Sequence, residues 1–127
     1  MTAQDFATAM RPEPAEIVDK RAFGADLYAF RLRLLEPGAR ERFAFQPGQF
    51  NMVYAPGVGE VAISISSDPD DFDLEHTIRI VGRTTQVIEA MEPGDVLGLR
   101  GPYGRGWPLA EARGRDLLIV TGGLGCA

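Results

Sequence analysis

The amino-acid sequence predicts a mainly β protein, an antiparallel barrel or sandwich, and three observations lead to this prediction. Apolar residues repeat with a period of two through much of the chain, which is typical of strands that bury one face. The 127 residues include 15 glycines and 9 prolines, a content that favours short elements joined by tight turns over a helical bundle. Turn sequences separate the periodic segments, for example at residues 55–57, 68–70 and 93–95.

The predicted elements follow one another from the N-terminus. Residues 1–14 have no sustained periodicity, so we expect an N-terminal arm or the start of a short helix. The first clear strand covers residues 28–34, where apolar side chains alternate with Arg31 and Arg33. The same alternation predicts further strands over residues 50–54, 61–65, 76–80 and 96–100.

One internal helix is predicted, over residues 85–91. Its apolar residues Val87, Ile88 and Met91 lie on one side of the predicted helix. Thr84 or Thr85 is suited to cap its N-terminus, because a threonine hydroxyl accepts from the free amides of the first turn.

The last fifteen residues have a different pattern. Residues 117–120 form a continuous apolar run, typical of a strand buried on both faces of a parallel sheet. A glycine-rich turn follows, with Gly122, Gly123 and Gly125 placed as in turns that precede a phosphate-binding helix. We therefore expect the barrel to occupy residues 15–112. Residues 113–127 are expected to be the first strand of a truncated α/β nucleotide-binding domain.

Charge and composition exclude several classes of function. A net charge of −5 disfavours an electrostatic nucleic-acid binder. A single cysteine and a single histidine offer no cluster of metal ligands, so no metal site is expected. No apolar stretch approaches the roughly 18 residues of a membrane span. We expect a protein without a membrane partner, in a reducing compartment and most simply in the cytoplasm.

The clearest chemical feature is the start of the predicted helix, at residues 82–85. A helix N-terminus offers free amides and a partial positive charge that bind anions, and Gly82 allows a close approach to the backbone. Arg79 and Arg83 add positive charge nearby, so a diphosphate is a suitable ligand. The alternative is an ordinary threonine-capped helix with solvated arginines.

Two further residues stand out on predicted strands. Ser64 lies between Ile63 and Ile65, where its hydroxyl could bond the edge of a planar heteroaromatic ring. The alternative is a serine on the solvated face of an edge strand. His76 stands at the start of the predicted strand over residues 76–80 and is expected at the surface or half-buried. Residues 101–104 are expected to form a tight loop after a strand.

The order of these motifs resembles one family. The chain resembles the ferredoxin–NADP reductase superfamily in the successive segments PGQF, AISIS, GRTTQVIEAMEPGDVLGLRGPYG and LLIVTGGLG. It looks most like the flavin (gamma, or diaphorase) subunit of soluble nickel–iron hydrogenases and of anaerobic sulfite reductases. The electron-transfer subunit of class B dihydroorotate dehydrogenase is a more distant likeness.

The resemblance implies a six-stranded antiparallel Greek-key barrel with one capping helix and FAD at its edge. It places Ser64 near flavin N5, where hydride is exchanged, which makes Ser64 the candidate catalytic residue. The other implied cofactor-binding residues are Val61, Ala62 and Ile63 along the flavin, Thr77, Ile78 and Arg79 beside them, and Gly82, Thr84 and Thr85 at the diphosphate. The arginine and tyrosine common in the family are replaced here by Val61 and Ile63, so Arg79 is the candidate substitute cation.

The resemblance also implies a function. The complete protein is expected to be a flavin-dependent oxidoreductase that passes electrons between NAD(P)H and an iron–sulfur or hydrogenase-type partner. This chain by itself is expected to bind only FAD. It lacks the cysteine cluster that holds a [2Fe–2S] centre in the related subunits, so that centre is not expected here. The alternative is a non-catalytic barrel that has lost its flavin and serves subunit interaction.

Overall fold

The computed structural model describes residues 1–127 and consists mainly of β-strands. The strands are β1 (Glu13–Ala22), β2 (Leu27–Leu34), β3 (Phe50–Ala55), β4 (Gly59–Ser64), β5 (Leu74–Arg79) and β6 (Val96–Tyr103). The helical segments are α1 (Ala3–Ala9), α2 (Ala39–Arg42), α3 (Arg83–Glu89) and α4 (Leu109–Ala112). None of the helices is long and apolar enough to cross a membrane.

The six strands form one antiparallel sheet in the order β4-β3-β6-β1-β2-β5. β6 inserts between β1 and β3, which is the Greek-key feature of the topology. The edge strands β4 and β5 meet beyond the end of β4, where the Ser66 amide donates to the Glu75 carbonyl at 2.8 Å. The predicted mainly β fold with six antiparallel strands and a barrel-like shape is confirmed.

The core lies inside the curved sheet and comes from the alternating residues. In β2, Phe30, Leu32 and Leu34 are buried whereas Arg31 and Arg33 are exposed, as the period of two predicts. The predicted strands over residues 50–54, 61–65, 76–80 and 96–100 each overlap a strand of the sheet. The apolar face of α3 closes the barrel interior, and its Ile88 is fully buried among the core residues.

The position of α3 is fixed at its C-terminal end by β1 and β2. The Lys20 ammonium of β1 donates to the Glu89 carbonyl at 2.6 Å, where a helix has free carbonyl groups. The Tyr28 hydroxyl of β2 donates to the Glu89 carboxylate at 3.0 Å. These contacts hold the helix, and therefore its N-terminus, against the barrel.

The strand that periodicity misses is β1, which pairs with both β2 and β6. Only Ala15 and Ile17 are buried in it, and a register shift between Ile17 and Asp19 breaks the alternation. The prediction of a short helix within the N-terminal arm is confirmed by α1, although that helix buries no residue.

Two predicted boundaries are wrong. α3 begins at Arg83 with Gly82 as N-cap, so neither Thr84 nor Thr85 caps it. β6 continues to Tyr103, so residues 101–103 belong to the strand and not to a loop after it. β6 is extended by its pairing with β3, where Tyr103 lies opposite Phe50. α3 begins earlier because the Gln86 amide donates to the Gly82 carbonyl at 2.9 Å, which makes Gly82 the N-cap.

The predicted strand over residues 117–120 is also wrong for this chain. No strand forms there, and the side chains are largely exposed, with Leu118 at 89%. A strand needs a hydrogen-bonded neighbour, and no other strand of the sheet pairs with this segment. The glycines that follow do form a turn, in which the Gly125 amide donates to the Gly122 carbonyl at 3.1 Å.

Candidate functional site

The outer face of β4 presents Ser64 beside two aromatic residues. Ser64 is exposed and pairs with Phe50 of β3, and Phe50 pairs with Tyr103 of β6. The rings of Phe50 and Tyr103 are 5.7 Å apart between centroids. Ala62 is exposed on the same face, two residues before Ser64. This face therefore presents one hydroxyl, one small apolar side chain and two aromatic rings.

The remaining predicted residues of β4 and β5 divide between the two faces of the sheet. Val61 and Ile63 point inwards, half-buried, and pack against the core. Thr77 is half-buried and Arg79 exposed on the outer face of β5. Ile78 needs correction as a cofactor contact, because its side chain is buried in the core with 1% exposed.

The loop before α3 is held by the buried hydroxyl of Thr85. The amides of Val81 and Gly82 donate to Thr85 Oγ1, each at 3.0 Å. The same hydroxyl donates to the Gly82 carbonyl at 2.9 Å. A hydroxyl has one donor and two acceptor positions, so that of Thr85 is fully used within the loop. Thr85 therefore shapes the site from below and has no hydroxyl capacity left for a ligand.

The surface of the same loop is open. A methyl group placed on Gly82 would meet no atom within 4 Å, so a ligand can approach this backbone. Thr84 lies beside the start of β4, because its Oγ1 is 3.5 Å from the position that a Cβ atom on Gly59 would occupy. The first-turn amides of a helix have no acceptor inside the helix, and they carry partial positive charge. Arg83 and Arg79 are exposed nearby in sequence and add to this charge.

His76 lies inside the barrel, which corrects the expectation of a surface or half-buried position. Its side chain is fully buried, and burial lowers the pKa of the imidazole from 6.5 to about 4. Nδ1 lies 2.9 Å from the Ser64 carbonyl oxygen, and Nε2 lies 3.3 Å from Nδ2 of Asn51. The ring therefore lies directly beneath the backbone of the candidate catalytic serine.

The turn at residues 47–49 and the end of β6 are joined, although the sequence motifs that contain them are far apart. Gln49 Nε2 donates to the Gly104 carbonyl at 3.0 Å. The Trp107 amide donates to the Pro47 carbonyl at 2.7 Å, and the indole lies against Gly48. These contacts position Phe50, which follows the turn, and Tyr103, which ends β6.

Two residues that shape the candidate site, Asn51 and Phe50, are not among the site residues predicted from the sequence. Asn51 is fully buried at an inward-facing position of β3, and its Oδ1 has no hydrogen-bond partner. An amide at an inward position of an apolar strand was the available signal. Phe50 falls within the predicted strand over residues 50–54, but its pairing with Ser64 depends on strand register.

No hydrogen bond joins the predicted nucleotide residues Gly122, Gly123 and Gly125 to β4 or α3.

Comparison with known proteins gives a consistent family. Residues 14–107 match the family model described as the oxidoreductase FAD-binding domain. The chain is 39% identical over 117 residues to the gamma subunit of sulfhydrogenase 2 from Pyrococcus furiosus, covering 92% of this chain and 41% of that protein. It is 39% identical over 118 residues to a probable electron transfer subunit of dihydroorotate dehydrogenase B (NAD(+)) from Methanopyrus kandleri, covering 93% of this chain and 42% of that protein.

A similar fold occurs among solved structures. The ferredoxin-NADP+ reductase from Plasmodium falciparum superposes with a TM-score of 0.65 over 80% of this chain and 43% of that one, at 21% identity. The likeness at this identity is one of fold. The chain spans about two fifths of the length of the curated relatives described above.

Proposed function

This chain belongs to the oxidoreductase FAD-binding domain family, and we propose that it holds FAD along the edge formed by β4, β5 and the start of α3. The observation that carries this proposal is the gap between the two edge strands. β4 and β5 share no regular ladder, while the open N-terminal loop of α3 lies at one end of β4 and Ser64 at the other. An elongated cofactor with a diphosphate in its middle and a ring at one end suits this arrangement.

The diphosphate is proposed to lie at the start of α3. Gly82 leaves its backbone open, and the Thr84 hydroxyl is not engaged within the loop, so both suit an anion there. Arg79 is the candidate for the charge that the family arginine usually supplies, since it is exposed and its nearest carboxylate, on Asp26, is 4.0 Å away. Thr85 contributes by holding the loop.

The flavin ring is proposed to lie against β4, with Ser64 at its reactive edge. The serine hydroxyl can donate to or accept from a ring nitrogen, because it has both capacities and is exposed. Ala62 supplies apolar side-chain contact on the same face as Ser64, and Thr77 flanks it on β5. Val61 and Ile63 point inwards, so they support the ring and ribityl chain from beneath as part of the strand. When bound, FAD supplies the exchange of hydride and of single electrons, and the protein orients it and tunes it by hydrogen bonds.

For the whole protein, we propose electron transfer between a nicotinamide nucleotide and an iron–sulfur or hydrogenase-type partner. The relatives support this: one is a sulfhydrogenase gamma subunit and another a probable electron transfer subunit of dihydroorotate dehydrogenase B (NAD(+)). The barrel domain would cover residues 15–112, and residues 113–127 would begin the domain that binds NAD(P). A reducing compartment, most simply the cytoplasm, suits the single cysteine.

The test is an FAD titration of the purified 127-residue chain, followed by flavin fluorescence and absorbance. We expect saturable binding that Thr84→Ala and Arg79→Gln each weaken by about tenfold, the loss of one charge-assisted or well-placed hydrogen bond. Thr8→Ala, on exposed α1, is the matched control and should leave binding unchanged. A chain that is folded by circular dichroism and binds no FAD would favour the flavin-free interaction module instead.

A further inference from the structure

A chain of polar groups runs through the barrel interior beneath Ser64. His76 of β5 reaches the Ser64 carbonyl of β4 through Nδ1, and Asn51 of β3 reaches the opposite ring nitrogen. Both side chains are fully buried. Three strands are therefore connected by side chains at the point where β4 ends.

The hydrogen bonds define the protonation of the ring. A carbonyl oxygen only accepts, so Nδ1 of His76 must carry the proton. Nδ2 of Asn51 only donates, so Nε2 must be the unprotonated acceptor. The ring is consequently neutral, which agrees with the effect of burial on its pKa.

The peptide group between Ser64 and Ile65 is held at both of its polar atoms. Its carbonyl accepts from His76, and its amide donates to the Gln49 carbonyl at 3.0 Å. β4 and β5 are not paired in the sheet, so this carbonyl has no ladder partner on the β5 side. The imidazole takes the place of a missing backbone donor.

Burying His76 and Asn51 is less favourable for the free energy of folding than burying two apolar side chains of similar size. Burying an imidazole and an amide is unfavourable unless their hydrogen bonds are made, and Oδ1 of Asn51 has no partner here. A leucine at position 76 would fill a similar volume without this penalty. The polar pair is therefore better explained by the position that it gives to Ser64 than by core stability.

We propose that His76 is a positioning residue for Ser64: its neutral Nδ1–H tautomer fixes the Ser64 carbonyl and so sets the serine hydroxyl on the outer face of β4 for the flavin. This inference rests on the proposed function, in which Ser64 faces the flavin. Asn51 holds the tautomer by donating to Nε2. His76 itself does not touch the cofactor, because its side chain is fully buried.

The tautomer can be measured without any cofactor. His76 is the chain's single histidine, so imidazole nitrogen resonances in a ¹H–¹⁵N correlation spectrum need no assignment. We expect a protonated Nδ1 and an unprotonated Nε2 at pH 7. A ring protonated at Nε2 alone, or a solvent-like titration near pH 6.5, would overturn the proposal even if every variant failed to fold.

The role is tested with two substitutions in the FAD titration. His76→Asn keeps a donor that can reach the position of Nδ1, whereas His76→Leu keeps volume and removes the donor. We expect His76→Leu to weaken FAD binding by about tenfold and His76→Asn by no more than about threefold, and each loss should be accompanied by a changed visible flavin spectrum.

A double-mutant cycle separates positioning from general destabilisation. In the Ser64→Ala background, His76→Leu should change FAD affinity by less than about twofold, because the hydroxyl that it positions is absent. An equal loss in both backgrounds would overturn the proposal and leave FAD binding itself intact. Absence of FAD binding by the folded wild-type chain would instead overturn the proposed function, and the role of His76 toward the flavin with it.

Discussion

Three buried polar side chains, Asn51, His76 and Thr85, connect the core of this barrel to its candidate site. None of the three side chains is exposed on the surface that is proposed to bind FAD. Each acts through backbone groups: His76 through the carbonyl of Ser64, Asn51 through His76, and Thr85 through the amides before α3. The surface chemistry of the site therefore depends on hydrogen bonds made one layer below it.

Thr85 is expected to matter for stability. Thr85→Val should lower the free energy of unfolding by about 1–2 kcal/mol, because two loop amides lose their acceptor. Thr84→Val is the matched control, with an expected change within about 0.5 kcal/mol. Urea denaturation of both variants makes the comparison, and equal losses would contradict the placement of the buried hydroxyl.

His76 is expected to make stability depend on pH. Its pKa is about 4 in the folded chain against 6.5 unfolded, so the unfolded state binds the proton first as pH falls. The contribution of the neutral ring to the free energy of unfolding is fully present above pH 6.5 and is lost as the pH falls from 6.5 to 4. This loss amounts to about 3 kcal/mol. The difference in unfolding free energy between wild type and His76→Leu, measured across this window, should show that slope. A difference independent of pH would refute it.

Two glycines of β6 are closely packed against neighbouring segments. A methyl group on Gly98 would lie 2.7 Å from the Pro12 side chain, and one on Gly101 would lie 2.3 Å from Oδ1 of Asn51. Gly101 also has φ of +153°, a conformation that other residues rarely adopt. These glycines let β6 pass between β1 and β3, which is the step that completes the Greek-key order.

A substitution at Gly101 should separate close packing from backbone strain. Gly101→Ala is expected to cost about 3 kcal/mol or more, combining strain with a clash against a buried amide. Gly57→Ala is the control, because it also has positive φ but open space around it, and should cost about 1 kcal/mol. Thermal and urea unfolding measure both values, and similar costs would argue against the close contact with Asn51.

At the level of the molecule, apolar residues fall into two populations. Fifteen buried residues form one core inside the barrel. The run at residues 117–120 is as apolar in sequence, yet Leu118 is 89% and Val120 86% exposed. Hydrophobicity alone does not distinguish the two, because burial requires partners that only the sheet supplies.

This division predicts opposite outcomes for two leucines. Leu118→Ser is expected to change the free energy of unfolding by less than about 0.5 kcal/mol, since no core contact is lost. Leu97→Ala, at a position only 1% exposed, should cost about 2–5 kcal/mol. Chemical denaturation distinguishes them, and a large cost at Leu118 would mean that the segment packs in solution.

The sequence by itself determined the fold class and most of the strands. Alternation of apolar residues identifies β2 to β6 because a sheet with one buried face imposes a period of two on the chain. It missed β1, whose few apolar residues are interrupted by a register shift. Motif order was enough to indicate the flavin family, although the roles of individual site residues remain predictions.

Only the tertiary structure decided which polar groups are buried and which segments find partners. His76 lies inside the core because β5 turns that face inwards, and the apolar run at 117–120 forms no strand because nothing pairs with it. The hydroxyl of Thr85, which the sequence analysis assigns to the diphosphate, is bonded within the loop before α3. The physical reason is the same in each case: periodicity is a local property, whereas burial and hydrogen-bond partners depend on residues distant in sequence.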